Sequence, residues 1–127
     1  MTDTRDVQPM FFKPLPEIDV LALAEKLKSD EEFLLIDVRE DDELRRAKIN
    51  DRRLVQAALS QLSAKGMSML PAPKQGQERS VYVMCHHGNR SSQVTRWLIK
   101  NGWSNVFNVS GGIDAYARKV DKSVGMY

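Results

Sequence analysis

The chain reads as an α/β domain built on a mostly parallel sheet with helices on its faces. Three observations carry this reading. Apolar runs alternate with helical stripes, the Phe33-Leu34-Leu35-Ile36 run is apolar without alternation as in a strand buried on both faces, and most connections are short. With 127 residues, 42% hydrophobic and 28% charged, one domain suffices to bury a core without disulfides or a structural metal.

Residues 1–15 are expected to form a flexible N-terminal segment, because Pro9, Pro14 and Pro16 interrupt any regular element; Phe11 and Phe12 have the character to dock on the body. From Asp19, a suitable N-cap, Val20, Leu21, Leu23, Ala24 and Leu27 make a helical stripe. The Phe33 strand ends at Asp37, and a polar helix follows over Asp41 to Arg46. Leu54-Val55 reads as a short strand, Ala57 to Leu62 as a helix, and Gly66 to Gly76, with Pro71 and Pro73 inside it, as a long loop. Val81 to Met84 form a strand, and Val94, Trp97 and Leu98 form the core-facing stripe of a helix that Gly102 terminates at C′. Val106-Phe107-Asn108-Val109 is a last strand, Gly111-Gly112 turns the chain, and Ile113 to Arg118 forms a short helix.

Between the Val81 strand and its helix lies Cys85-His86-His87-Gly88-Asn89-Arg90-Ser91, which holds the only cysteine. In parallel sheets ligands bind beyond the strand C-termini, where Cys85 falls. Amides of the loop and first helical turn lack partners in their own helix, so they are expected to converge on the sulfur and stabilise a thiolate. Gly88 lets the backbone curl back with φ > 0. A single cysteine cannot form an internal disulfide, and the polar start Met1 to Asp6 carries no secretory signal, so a cytoplasmic setting is expected. No apolar run approaches the ~20 residues of a membrane span. The net charge of +2 does not argue for nucleic acid.

Leu34 to Glu40, the Cys85 to Ser91 loop, and Asn105 to Tyr116 together resemble, in order and spacing, the rhodanese-like sulfurtransferase domain. The resemblance covers roughly residue 16 onward, so the expected domain is 16–127. It implies a five-stranded, mostly parallel sheet flanked by helices, and a catalytic Cys85 that carries sulfane sulfur as a persulfide. The implied activity is a thiosulfate:cyanide-like sulfurtransferase needing no cofactor beyond that covalent intermediate. Its partners would be a small sulfur donor and acceptor, or a protein persulfide in either role, with no nucleic acid and no membrane. The chain departs from the family at Ala47-Lys48-Ile49-Asn50-Asp51-Arg52-Arg53, where a Gly-His-Ile-Pro-Gly-Ala run is usual.

Substrate contacts are expected from His86, His87, Gly88, Asn89, Arg90 and Ser91. The two histidines are expected to point apart, so they make a poor metal site, and to line the mouth where they help admit anionic donors. Arg90 has two readings, an anion contact or a pin between the loop and a carboxylate. Asp37 and Arg39 are expected to form a structural ion pair at the sheet end. Arg45, Arg46, Lys48, Arg52 and Arg53 read as a solvated basic face, with steering of anionic donors as the functional alternative. Two rivals stand beside sulfur transfer: a non-catalytic partner-binding module, and a rhodanese-fold phosphatase. The phosphatase loop encloses one more residue than the four between Cys85 and Arg90.

Overall fold

The computed structural model describes residues 14–71 and 79–127. Expectations for residues 1–13, including docking by Phe11 and Phe12, and for 72–78 of the Pro-containing loop lie outside the described residues. The elements in chain order are β1 (Glu17–Ile18), α1 (Val20–Lys28), β2 (Phe33–Asp37), α2 (Asp41–Leu44), β3 (Leu54–Gln56), α3 (Leu59–Lys65), β4 (Ser80–Met84), α4 (Asn89–Lys100), β5 (Val106–Val109) and α5 (Gly112–Lys119). Short 3-10 turns follow α3 at Gly66–Met69 and α5 at Lys122–Val124.

The strands form one sheet in the order β1-β5-β4-β2-β3, and every pairing is parallel. The fifth strand is β1, whose Glu17 and Ile18 pair with Asn108 and Val109. Two residues carry no period, so sequence alone gives no sign of it. Asp19 caps α1, accepting from the Ala22 amide at 2.8 Å. The expected helix at Ala57 begins two residues later, because the Ala57 and Leu59 amides donate to Asp37 and Val38 carbonyls and hold that stretch against the end of β2.

Side-chain alternation divides the core in two. Phe33, Leu35, Tyr82, Met84 and Val109 pack with Val20, Leu23 and Ile113 of α1 and α5, while Leu34, Ile36, Val81, Val83 and Val106 pack with Leu62, Val94 and Leu98 of α3 and α4. Each fully buried aliphatic or aromatic side chain contributes about 1.5–3 kcal/mol. Cys85 continues the period-2 pattern of β4 and therefore faces the α4 side.

Chain direction reverses between β4 and β2: from β4 the chain goes to β5 on one side, and from β2 to β3 on the other. The carboxyl ends of β2 and β4 thus flank the switch point where open α/β sheets bind ligands. Asp37 is level with Met84 there, which brings the segment after β2 beside the Cys85 loop.

Of the two arginines at the start of β3, Arg52 is exposed as on a solvated face and Arg53 is not. Arg53 is buried: it pairs with Asp51 at 2.8 Å, donates to the carbonyls of Leu27, Ser29 and Glu31 at 2.8–3.0 Å, and lies 4.2 Å over the Phe33 ring. The Leu27 and Ser29 carbonyls lie at the end of α1, where helical partners run out, and Glu31 lies just beyond it, which is why a guanidinium fork is held here. Arg52 pairs with Glu32 at 3.0 Å. Both sit toward the amino end of the sheet, away from Cys85, so the steering role considered for them is withdrawn.

Candidate active site

Cys85 follows β4 directly and is 1% exposed. The next three residues bend the chain, and Gly88, at φ +106°, caps α4. That left-handed conformation is strained for any side chain. It turns the Gly88 amide back so that its N–H donates to Cys85 Sγ at 3.0 Å. Where several amides were expected to converge on the sulfur, among the described residues the Gly88 amide alone donates to it, joined by a side-chain hydroxyl.

That hydroxyl is Ser91 Oγ, 3.3 Å from Sγ and 2.5 Å from Asn108 Oδ1. A serine has one proton, so it serves either the sulfur or Asn108 at a time. Asn108 is itself oriented by donating to the Gly88 carbonyl and to Glu17, each at 3.3 Å. A buried asparagine in the otherwise apolar strand Val106–Val109 was the sequence signal for this partner, and it went unread.

Arg90 takes the second of its two readings. Its guanidinium clasps Glu43 with both terminal nitrogens, at 2.5 and 2.7 Å, which pins the first turn of α4 to the chain after β2. Glu43 is placed there by Arg39, which is fully buried against Asp37 at 2.8 Å and donates to the carbonyls of Glu43 and Ala47. The structural Asp37–Arg39 pair is therefore present, and it also folds the departing segment from Ala47 onward into place. Asn89 is exposed at the first residue of α4.

The Arg90 hydrogen bonds pull the Glu43 carboxyl down to about 2, with backbone and Tyr127 hydrogen bonds assisting against the opposing cost of burial. Because this value lies below that of a free glutamate, ~4.3, the pair's stability is fully present above ~4.3 and is lost as pH falls toward about 2. Wild-type Tm should fall more steeply over that acidic interval than the Tm of Glu43→Gln, which starts lower at neutral pH. Parallel curves in a thermal-melt series would show that the pair is not ionised as described.

The histidines correct an expectation. Residues 86–88 are bent, so strand alternation does not separate neighbouring side chains, and the His86 and His87 rings lie 3.9 Å apart. Burial, reinforced by His87, pushes His86 below the usual histidine range. At neutral pH His86 thus supplies a neutral ring rather than positive charge for anionic donors. Among the described residues His86, His87 and Asp114 bring potential ligand atoms within 4.8 Å of one another, and His86 Nε2 is buried with no hydrogen-bond partner. The two rings are tilted 37° to one another, and Asp114 is already engaged by Arg118 at 3.0 Å.

Two further contacts complete the site. The amides of Ile113 and Asp114, at the start of α5, donate to the Cys85 and His86 carbonyls at 2.9 and 3.0 Å. On the other side, the Tyr127 ring stacks on His86 at 3.8 Å with planes 7° apart. Glu43, Asn108 and Tyr127 therefore adjoin the Cys85 loop, contacts that sequence reasoning missed.

Comparison with known proteins places the fold in a family. The family described as the rhodanese-like domain matches residues 20–119. A sulfurtransferase of Allochromatium vinosum is 33% identical over 80% of this chain and 88% of that protein. The rhodanese-like/PpiC domain-containing protein 12, chloroplastic, of Arabidopsis thaliana is 34% identical over 91% of this chain, which spans only 38% of that protein. The solved structure of a rhodanese-related protein from Thermoplasma volcanium aligns with TM-score 0.66 and 28% identity, covering 83% of this chain and 93% of its own. No helix among the described residues is long and apolar enough to cross a membrane.

Proposed function

Since the chain belongs to the rhodanese-like domain family, in which relatives carry the name sulfurtransferase, we propose that it transfers sulfane sulfur through a persulfide on Cys85. The observation that carries the reading is the Cys85 sulfur, buried at the end of β4 and receiving the Gly88 N–H at 3.0 Å with the Ser91 hydroxyl in reach. The Gly88 N–H favours the thiolate, the nucleophilic form, and the Ser91 hydroxyl adds to it when its proton turns from Asn108 to the sulfur.

With thiosulfate as donor, the Cys85 thiolate attacks the outer sulfur, the S–S bond of thiosulfate breaks, and sulfite leaves with the bonding pair. The product is a deprotonated persulfide whose outer sulfur stands about 2 Å beyond Sγ. An acceptor such as cyanide or a thiolate then attacks that outer sulfur. The new bond forms as the persulfide bond breaks, returning the Cys85 thiolate and releasing thiocyanate or an acceptor persulfide. No net electrons or protons are exchanged with the protein, so no cofactor is required. Of the loop residues His86 to Ser91, Gly88 and Ser91 contact the sulfur directly.

Phosphate chemistry is disfavoured by Arg90. A phosphatase loop uses its arginine to grip the phosphate, whereas this guanidinium is filled by Glu43. Intact-protein mass spectrometry after exposure to thiosulfate, and separately to a small-molecule hydropersulfide, tests the reading. A mass gain of one sulfur atom, mapped to Cys85 and removed by cyanide, is the expected result. Absence of the adduct with both donors would overturn it.

A further inference from the structure

Residues 121–127 leave α5, cross the segment 46–48 and bring Tyr127 to the Cys85 loop. The crossing is specific. The Lys48 amide donates to the Val124 carbonyl at 2.8 Å. Gly125 has φ +103°, and a Cβ there would stand 2.3 Å from the Arg46 carbonyl oxygen and 3.0 Å from Ala47 Cα. Only glycine fits without moving one strand of the crossing away from the other. The segment beneath is the one that departs from the family pattern, so this contact belongs to the chain's own features rather than to the motifs that carry the resemblance.

Tyr127 reaches both ends of the loop. Its ring lies flat on His86, the neighbour of Cys85. Its hydroxyl donates to Glu43 Oε2 at 2.8 Å and accepts from Arg39 Nη1 at 3.2 Å. Glu43 in turn grips Arg90, two residues past the Gly88 amide. One side chain therefore joins two ion pairs, Asp37–Arg39 under the sheet end and Glu43–Arg90 on the first turn of α4, while covering His86. A hydroxyl shared between two charged groups in a half-buried setting is costly to misplace, because each loses a partner that water cannot easily replace.

We propose that Tyr127 is a positioning residue for the loop: ring and hydroxyl together hold His86 and the Glu43–Arg90 pair so that the Gly88 N–H stays aimed at Cys85 Sγ. Plain packing against His86 would require only the ring. The hydroxyl bridge and the glycine-dependent crossing at residue 125 are what direct the side chain to this one place. The titratable and charged groups that face the loop are Arg90 with Glu43, His86, His87, Asp114 with Arg118, Glu17 through Asn108, and Tyr127 itself, above the buried Asp37–Arg39 pair. The thiol's pH response is thus expected to follow loop geometry as those partners hold it.

The inference takes Cys85 as the sulfur carrier from the preceding reading, yet its main readout, alkylation of the Cys85 thiol, needs no sulfur transfer. Wild type, Tyr127→Phe, Tyr127→Ala and Gly125→Ala are compared by the pH dependence of iodoacetamide alkylation, by single-turnover persulfide formation from thiosulfate, and by Tm. Tyr127→Ala and Gly125→Ala should slow alkylation near neutral pH by roughly tenfold, the change that one unit in the thiol's titration produces. Their profiles should move to higher pH, and Tyr127→Phe, which keeps the ring, should fall between them and wild type. Lowered Tm with profiles superimposable on wild type would reduce Tyr127 to packing and overturn the proposal. If Tyr127→Ala fails to fold, Gly125→Ala and Tyr127→Phe decide it, and wild-type profiles in both overturn it. Shifted alkylation with no persulfide in any of the proteins would leave the positioning role standing and remove the sulfur-transfer reading instead.

Discussion

Replacing Cys85 with serine is expected to lower sulfur transfer from thiosulfate by roughly three orders of magnitude or more, as removal of a nucleophile does elsewhere. Serine preserves the local geometry: a smaller Oγ still accepts from the Gly88 amide and stays buried between β4 and α4. It neither ionises near neutral pH nor forms a bond to sulfane sulfur that an acceptor can then break. Fold stability should change by only about 1 kcal/mol, so Tm separates loss of chemistry from loss of structure. Thiocyanate production by the folded variant at a substantial fraction of the wild-type rate would remove Cys85 as the carrier.

The second large effect comes from a residue with no chemistry of its own. Gly112 opens α5 at φ +60°, and a Cβ on it would stand 2.4 Å from both the Cys85 and His86 carbonyl oxygens. Those are the carbonyls that accept from the Ile113 and Asp114 amides, so the start of α5 and the start of the loop share one tight backbone contact. Gly112→Ala adds about 1–2 kcal/mol of left-handed strain and costs about 0.5–1.5 kcal/mol for each hydrogen bond broken as the backbones separate. A destabilisation of about 3 kcal/mol, roughly 10 °C in Tm, is expected. Sulfur transfer should fall by roughly a hundredfold, because a shift of about 1 Å at a positioned nucleophile has that effect. Gly102→Ala is the control: its φ of +90° is also left-handed, yet nothing lies within 4 Å of the added Cβ. It should cost only the local strain and leave transfer at the wild-type rate. Equal rates in Gly112→Ala and Gly102→Ala would show that the contact with α5 does not shape the loop.

Much of this architecture was legible because its signals are local. The Phe33 run, the Asp19 cap, the Val94-Trp97-Leu98 stripe and the terminating Gly102 each act through residues within a turn or two of one another, and each appears in the structure as an element or cap. The position of Cys85 at a strand end before a glycine-capped helix was visible for the same reason. Where local reading failed, the competing effect was identifiable. The His86 and His87 rings lie 3.9 Å apart because the chain bends where a strand rule separates neighbours. Arg53 looked like surface charge because nothing near it in sequence, apart from Asp51, announces the open carbonyls at the end of α1, more than twenty residues earlier.

What the sequence determined by itself is the alternation of strands and helices, the buried character of the central strands, and a lone thiol in a short loop at the end of one of them. All of these follow from periodicity, capping and turn chemistry, which operate over a few residues. Only the tertiary structure decided which groups surround that thiol. Parallel pairing of β2 with β4 sets their carboxyl ends side by side and brings Glu43 to Arg90 across 47 positions, pairing of β4 with β5 brings Asn108 to Ser91 across 17, and the segment after α5 brings Tyr127 to Arg39 across 88. Hydrogen bonds and ion pairs act over about 3 Å in space and leave no period along the chain. The same sheet register places Arg52 and Arg53 at the amino end of the strands, opposite the end that carries the sulfur.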